Sequence, residues 1–303
     1  MGKSRGIVRG LLVLLTLGIA LALMSYPFVA NYIFENRTDS IVSAIERSVQ
    51  DAEEDGWKTM IEQAREYNHV LSGGAIQLRD PFVEEASENT AGDYDSLLCM
   101  TDDGVMGFIE IPSVSLALPI YHGTSDQVLE KGAGHLQGTS LPVGGESTHT
   151  VLTGHSGLSS AKLFTDLAEL KEEDVFFLNV MGEKLAYKVD RIKVVLPNEL
   201  NDLYVEKGKD YCTLLTCTPY GVNTHRLLVR GERTEYLSAV NDPEVFQKKK
   251  EASKWMAEYK RALSISIIVF LTGAVLMFLI RYFSGPLDGR DDRQRKNEGG
   301  TER

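Results

Sequence analysis

A chain of 303 residues with 43% hydrophobic residues can supply a core for one or two domains even after its membrane-type segments are set aside. The formal net charge of −11 leaves no basic surface of the kind that nucleic-acid binding requires, so no nucleic-acid partner is expected. Three cysteines, without Cys-x-x-Cys pairs or a His-Glu-x-x-His run, exclude a disulfide framework and the usual metal-ligand spacings, and no cofactor or metal is expected.

The chain opens on an apolar stretch, Gly10 to Ala30, behind Lys3, Arg5 and Arg9. This suits an uncleaved anchor or a long signal peptide with a cytoplasmic start. Ile41, Ile45 and Val49 then recur at four-residue steps, and Trp57, Met60, Ile61, Ala64 and Tyr67 continue a helical face until Gly73-Gly74. Gly56 is expected to divide this stretch into two helices that form a stalk or packing layer. Taken alone, the tripeptide Asp80-Pro81-Phe82 that follows reads as an ordinary turn.

From about Leu97 the pattern changes to short β-type runs: Phe108 to Ile111, Leu116 to Tyr121, Thr150 to Thr153, Val175 to Val180, Leu185 to Val195, Tyr211 to Cys217 and Arg226 to Gly231. Seven runs punctuated by glycine and proline predict a mainly β domain, either a closed barrel or a sandwich. A short helix is expected over Ser160 to Leu170.

Among the histidines, His155 follows a short apolar strand and is flanked by Gly154 and, one residue further on, Gly157, a typical perch for a catalytic side chain. His69, His122, His135 and His149 read as surface or hydrogen-bonded structural residues. His225 points away from its neighbour Arg226 if both lie on a strand, and reads as structural too.

The run Thr213-Leu214-Leu215-Thr216-Cys217 ends on a lone thiol, and Pro219, Gly221 and Asn223 supply turn residues before Arg226. Fully extended, the nine residues from Cys217 to Arg226 would span roughly 30 Å, so a hairpin is needed to make thiol and guanidinium neighbours. A free cysteine is only slightly ionised at neutral pH and needs a cation or base beside it. Arg226 can be that cation and can hold an oxyanion, but it has no proton to give. Cys99 and Cys212 read as small buried apolar residues; the five-residue offset on one strand prevents Cys212 from bridging Cys217.

Near the end, Lys248, Lys249, Lys250, Lys254, Lys260 and Arg261 precede a second spanning stretch, Leu263 to Ile280. An amphipathic juxtamembrane helix on anionic headgroups is expected from Asp242-Pro243-Glu244. Basic residues on the two sides of the second stretch nearly balance, so orientation rests on the N-terminal segment.

Taken together, Gly107 to Pro112, Leu118 to Thr124, Gly132 to Ser140, the His155 segment and Thr213 to Arg226 resemble the class C sortases, the pilin-polymerising transpeptidases of Gram-positive bacteria. The family's Thr-Leu-x-Thr-Cys signature corresponds to Thr213–Cys217 without a gap. The resemblance selects the closed β-barrel over the sandwich and implies a catalytic trio of Cys217, His155 and Arg226. It departs at Ser156, where many relatives carry arginine. It also implies a lid built on an Asp-Pro-aromatic tripeptide, matched by Asp80, Pro81 and Phe82: the aspartate can pair with the Arg226 fork, the proline stiffens the segment, and the ring can cover Cys217.

The resulting organisation is an anchor or signal segment over 1–30, a helical region with lid over 31–95 and a catalytic barrel over 96–236. A juxtamembrane helix over 237–262, a transmembrane helix over 263–283 and a cytoplasmic tail over 284–303 follow. The implied activity cleaves a Leu-Pro-x-Thr-Gly-like sorting signal between threonine and glycine through a thioacyl-enzyme. It then joins pilin subunits through an acceptor lysine, with the catalytic domain outside the membrane and both termini cytoplasmic. Competing readings are a cell-wall-anchoring sortase using a peptidoglycan amine, a membrane-bound cysteine hydrolase, and a non-enzymatic adhesin or scaffold.

Overall fold

The computed structural model describes residues 2–51, 54–72, 78–82, 94–101, 103–158, 160–242 and 254–283. It comprises two compact units, one made of Met1–Tyr26 with Lys254–Arg303 and the other of Pro27–Ser253. The segment expected to form a juxtamembrane helix from Asp242-Pro243-Glu244 lies largely outside the described residues, as do Gly73-Gly74 and the tail from 284.

Helix α1 runs over Gly2–Asp51 and α2 over Glu54–Ser72. The stretch does form two helices, but the division falls before Gly56, which lies inside α2, where the surrounding helix formers outweigh its conformational entropy cost. The helical face read from the spacing is the one that packs. Ile61 and Ala64 are buried in the main core, with Trp57, Met60 and Tyr67 against it. Ile45 is buried and Ile41 packs beside it on Val105, Phe108 and Tyr121.

Eight strands close into a barrel in the order β1-β2-β3-β4-β7-β8-β6-β5. They are β1 (Val105–Ile111), β2 (Leu116–His122), β3 (Ala133–His135), β4 (Thr148–Thr153), β5 (Val175–Val180), β6 (Glu183–Val195), β7 (Asp210–Thr218) and β8 (His225–Thr234). The strand absent from the sequence reading is β3. Its three residues, Ala-Gly-His, carry no β signal and are held by parallel pairing with β2 and antiparallel pairing with β4. The helix expected over Ser160 to Leu170 is a 3₁₀ helix limited to Thr165–Glu169. Short helices α3 (Asp126–Leu129) and α4 (Tyr236–Asn241) lie outside the barrel wall.

Alternation along β4, β7 and β8 separates two cores. Leu152, Cys212, Leu214, Leu227 and Val229 point into the barrel. Val151, Leu215 and Leu228 point outward into a second cluster with Leu136, Val195, Leu200 and Leu203. Leu78 belongs to that outer cluster and Phe82 packs against it, so the segment before the barrel is packed on the outer face of β4, β7 and β8. In the other unit, α5 (Lys254–Phe283) is a single 30-residue helix with exposed Ile268, Val269, Leu276 and Phe278.

Candidate active site

Strands β7 and β8 pair antiparallel in a register that sets Cys217 opposite Arg226 and Thr218 opposite His225. On its other side Arg226 pairs with Val195 of β6. The turn residues between the two strands therefore do what the sequence required of them: thiol and guanidinium are nearest neighbours across the ladder. Cys217 is two residues on from Leu215, hence on the outer face, and the residue is only 7% exposed.

His155 reaches the same place from the end of β4. Parallel pairing sets Thr153 beside Leu215, and two bonds then carry the chains forward together: the Gly154 amide donates to the Leu215 carbonyl at 3.1 Å, and Thr216 Oγ1 donates to the Gly154 carbonyl at 2.7 Å. The loop is held from behind by the Phe164 amide donating to the His155 carbonyl at 3.0 Å. Glycine is required at 154, because a Cβ there would sit 2.7 Å from the Phe164 ring.

Asp80-Pro81-Phe82 closes over this arrangement. The Asp80 carboxylate accepts from Arg226 Nε at 3.0 Å and from Nη2 at 2.6 Å, a bidentate pair whose side chains are 8% and 4% exposed. Arg226 Nη1 donates to the carbonyls of Asn223 and His225, at 3.1 and 3.0 Å. All three guanidinium nitrogens are thus engaged. The Phe82 ring lies 5.0 Å from the Arg226 guanidinium and 5.6 Å from the His155 ring, so one aromatic side chain spans both groups.

Burial raises the Cys217 thiol; Arg226 pulls it down and Asp80 pushes it back up. His155 is lowered by burial, against the pull of Asp126 and Glu130. Both shifts favour the uncharged forms, a neutral thiol beside a neutral imidazole.

The remaining histidines divide as follows. His135 is fully buried, with Nδ1 on the Tyr94 hydroxyl and Nε2 on the Ser140 carbonyl. His149 is buried between the Tyr204 carbonyl and the Thr213 hydroxyl. His122 bridges the carbonyls of Gly104 and Leu97. The His225 ring pairs with the Thr224 hydroxyl through Nδ1 at 2.9 Å. All three cysteines are free; Cys212 is buried, but Cys99 is half-buried with its Sγ at 3.1 Å from the Thr101 carbonyl, which corrects the expectation that it is a core residue. Among the described residues no cluster of three or more potential metal ligands occurs.

Sequence reasoning missed the second layer. Leu78 packs into the outer cluster, Tyr204 holds the Leu78 amide at 3.5 Å, and Asp126 and Glu130 act on His155 from α3 and its end. None has a local signal, since each is made by contacts far apart in the chain.

A sortase-domain family model matches residues 109–234. Sortase C of Streptococcus pneumoniae is 40% identical, with a TM-score of 0.60, over 65% of this chain and 97% of that one. The chain belongs to the sortase family. Sortase C-1 of Actinomyces oris is 48% identical, with a TM-score of 0.56, over 60% of this chain and 99% of that one. These neighbours are class C sortases. Sortase A of Bacillus anthracis is 33% identical over 128 residues, a match that spans 42% of this chain and 59% of that protein. Proteins of this family are cysteine transpeptidases.

Proposed function

We propose that this sortase is a pilin-joining cysteine transpeptidase whose nucleophile is Cys217 and whose resting site is closed by Asp80-Pro81-Phe82. The observation that carries the reading is the register that sets Cys217 against Arg226, with Phe82 spanning Arg226 and His155. The pilin assignment draws on the S. pneumoniae neighbour, which is described in terms of pilin substrate specificity.

In the reaction, the Cys217 thiol passes its proton to His155 as Sγ attacks the threonine carbonyl of a Leu-Pro-x-Thr-Gly-like signal and the carbonyl electrons move onto oxygen. Arg226 holds that oxyanion through donors it now gives to Asp80. The intermediate collapses by breaking the threonine–glycine bond, and the glycine amine leaves with a proton from His155. A lysine amine of a second pilin then attacks the thioester, loses its proton to His155 and expels the Cys217 thiolate, leaving an isopeptide bond.

The lid must move first, because the Arg226 donors are occupied and the outer apolar face is covered. In the expected topology, α1 crosses the membrane from a cytoplasmic N-terminus; the stretch Leu15–Gln50 is long and apolar enough to do so. At about 1.5 Å per residue, α5 is also longer than a hydrocarbon core of roughly 30 Å, so it serves as the second span and returns the tail to the cytoplasm. The segments follow the boundaries 1–30, 31–95, 96–236, 237–262, 263–283 and 284–303.

The test is incubation of the full chain in detergent, with and without Asp80→Ala, with a candidate pilin. Covalent ladders on a denaturing gel are expected, and Cys217→Ala should abolish them. Cleavage of every candidate pilin without ladders would favour the hydrolase reading, and single adducts formed only with an added peptidoglycan amine, without ladders, would favour wall anchoring.

A further inference from the structure

At the end of β4, two residues before His155, lies a buried hydroxyl with nothing to bond among the described residues: Thr153 is 0% exposed, and its Oγ1 has no hydrogen-bond partner there. Leaving such a group unpaired costs stability, and a valine of the same shape would avoid that cost. Its neighbours show that partners are otherwise found on these strands: Thr150 donates to the Leu141 carbonyl, Thr213 is paired with His149, and Thr216 with the Gly154 carbonyl.

The position of Thr153 says where a partner would come from. It alternates with Leu152, which faces the barrel interior, and so shares the outer face with Val151. That is the face on which Leu78 and Phe82 pack. Thr153 pairs with Leu215, two residues ahead of Cys217, and itself stands two residues ahead of His155. One strand spacing across and two residues along place it about 8 Å from Cys217, Cα to Cα, which is the reach of some two residues of extended peptide.

We infer that Thr153 is a substrate-binding residue whose hydroxyl bonds the backbone of the acyl donor one or two residues before the scissile carbonyl once the lid has withdrawn. This rests on the transpeptidase reading. Leu78 and Phe82 bring only apolar side chains to the face that Thr153 shares with Val151, whereas an extended peptide on that face brings amide and carbonyl groups. The unpaired hydroxyl then acts as a preference for peptide over lid, since only the peptide satisfies it.

The experiment uses the full chain in detergent in the Asp80→Ala background, with a fluorogenic Leu-Pro-x-Thr-Gly peptide as probe. Thr153→Val should lower kcat/KM roughly tenfold, chiefly through KM, while the melting temperature stays level or rises. Thr153→Ser should recover most of kcat/KM. A kcat/KM within twofold of the parent for Thr153→Val overturns the inference, as does a loss confined to variants whose melting temperature also falls. Failure of the Asp80→Ala parent itself to cleave the peptide takes down the transpeptidase reading and this inference together, and is distinguished by the parent alone.

Discussion

Arg226 has all three guanidinium nitrogens engaged, so under the proposed mechanism it cannot hold an oxyanion in this state. Its Nε and Nη2 are given to Asp80 and its Nη1 to two backbone carbonyls, so the positive charge that should favour a Cys217 thiolate is offset by a carboxylate lying against it. Burial adds to the same direction, and the thiol stays protonated through neutral pH. Removing the carboxylate and admitting water should weaken both upward pushes while leaving Arg226. The half-point of iodoacetamide alkylation of Cys217 is therefore expected at lower pH in Asp80→Ala than in the parent. An unchanged half-point would mean that Asp80 does not govern the thiol.

At the scale of elements, the proposed lid Asp80-Pro81-Phe82 is held by one buried ion pair and one aromatic ring. Removing one partner of a buried pair costs roughly 3–5 kcal/mol when the other charge stays in place. The lid offers a way out, since by leaving it lets water reach Arg226. Asp80→Ala should therefore open the site rather than unfold the barrel, and thiol labelling of Cys217 should accelerate at least about tenfold. Phe82→Ala, which removes the ring that spans Arg226 and His155, should accelerate it as well. Unchanged labelling rates in both variants would count against a lid.

Which elements could be read from sequence follows from where their causes lie. The β7–β8 hairpin was legible because its turn residues are local and its ends are strand-like. Strand β3 was not, because Ala133-Gly134-His135 is a strand only through its two neighbours. The α2 face was legible from its spacing and so was the division into two helices, but not its position, since α2 already runs through Gly56, whose local cost the helix absorbs. The Asp80–Arg226 pair joins residues 146 apart, and only the family resemblance gave reason to connect them. Leu78, Tyr204 and Thr153 had no signal at all, since their roles come from which face they share.

The whole molecule is sensitive to acid for a reason separate from the site. Burial lowers His135 and His149 to about 4, while unfolded histidines take up protons near 6.5. The unfolded state therefore binds protons that the folded state refuses. Stability is full above 6.5 and is lost as pH falls from 6.5 toward 4, by roughly 3 kcal/mol per residue at most. His155, also lowered by burial, adds in the same direction. Urea denaturation of the full chain in detergent should show a markedly lower midpoint at about pH 4.5 than at about pH 7.5. Equal midpoints would mean that these two imidazoles are not buried neutral.

Under the proposed function, a chain anchored through the apolar stretch Leu15–Gln50 keeps its barrel where exported subunits pass, and Asp80-Pro81-Phe82 covers the thiol until one arrives. The measurement closest to this account is peptide mass mapping of the Asp80→Ala chain after brief exposure to a Leu-Pro-x-Thr-Gly peptide without an added amine. The account expects the acyl half of the peptide, ending in threonine, on the fragment that contains Cys217, and its release when a lysine amine is supplied. Cleaved peptide with no adduct at Cys217, or an adduct on Cys99 or Cys212 instead, would contradict it.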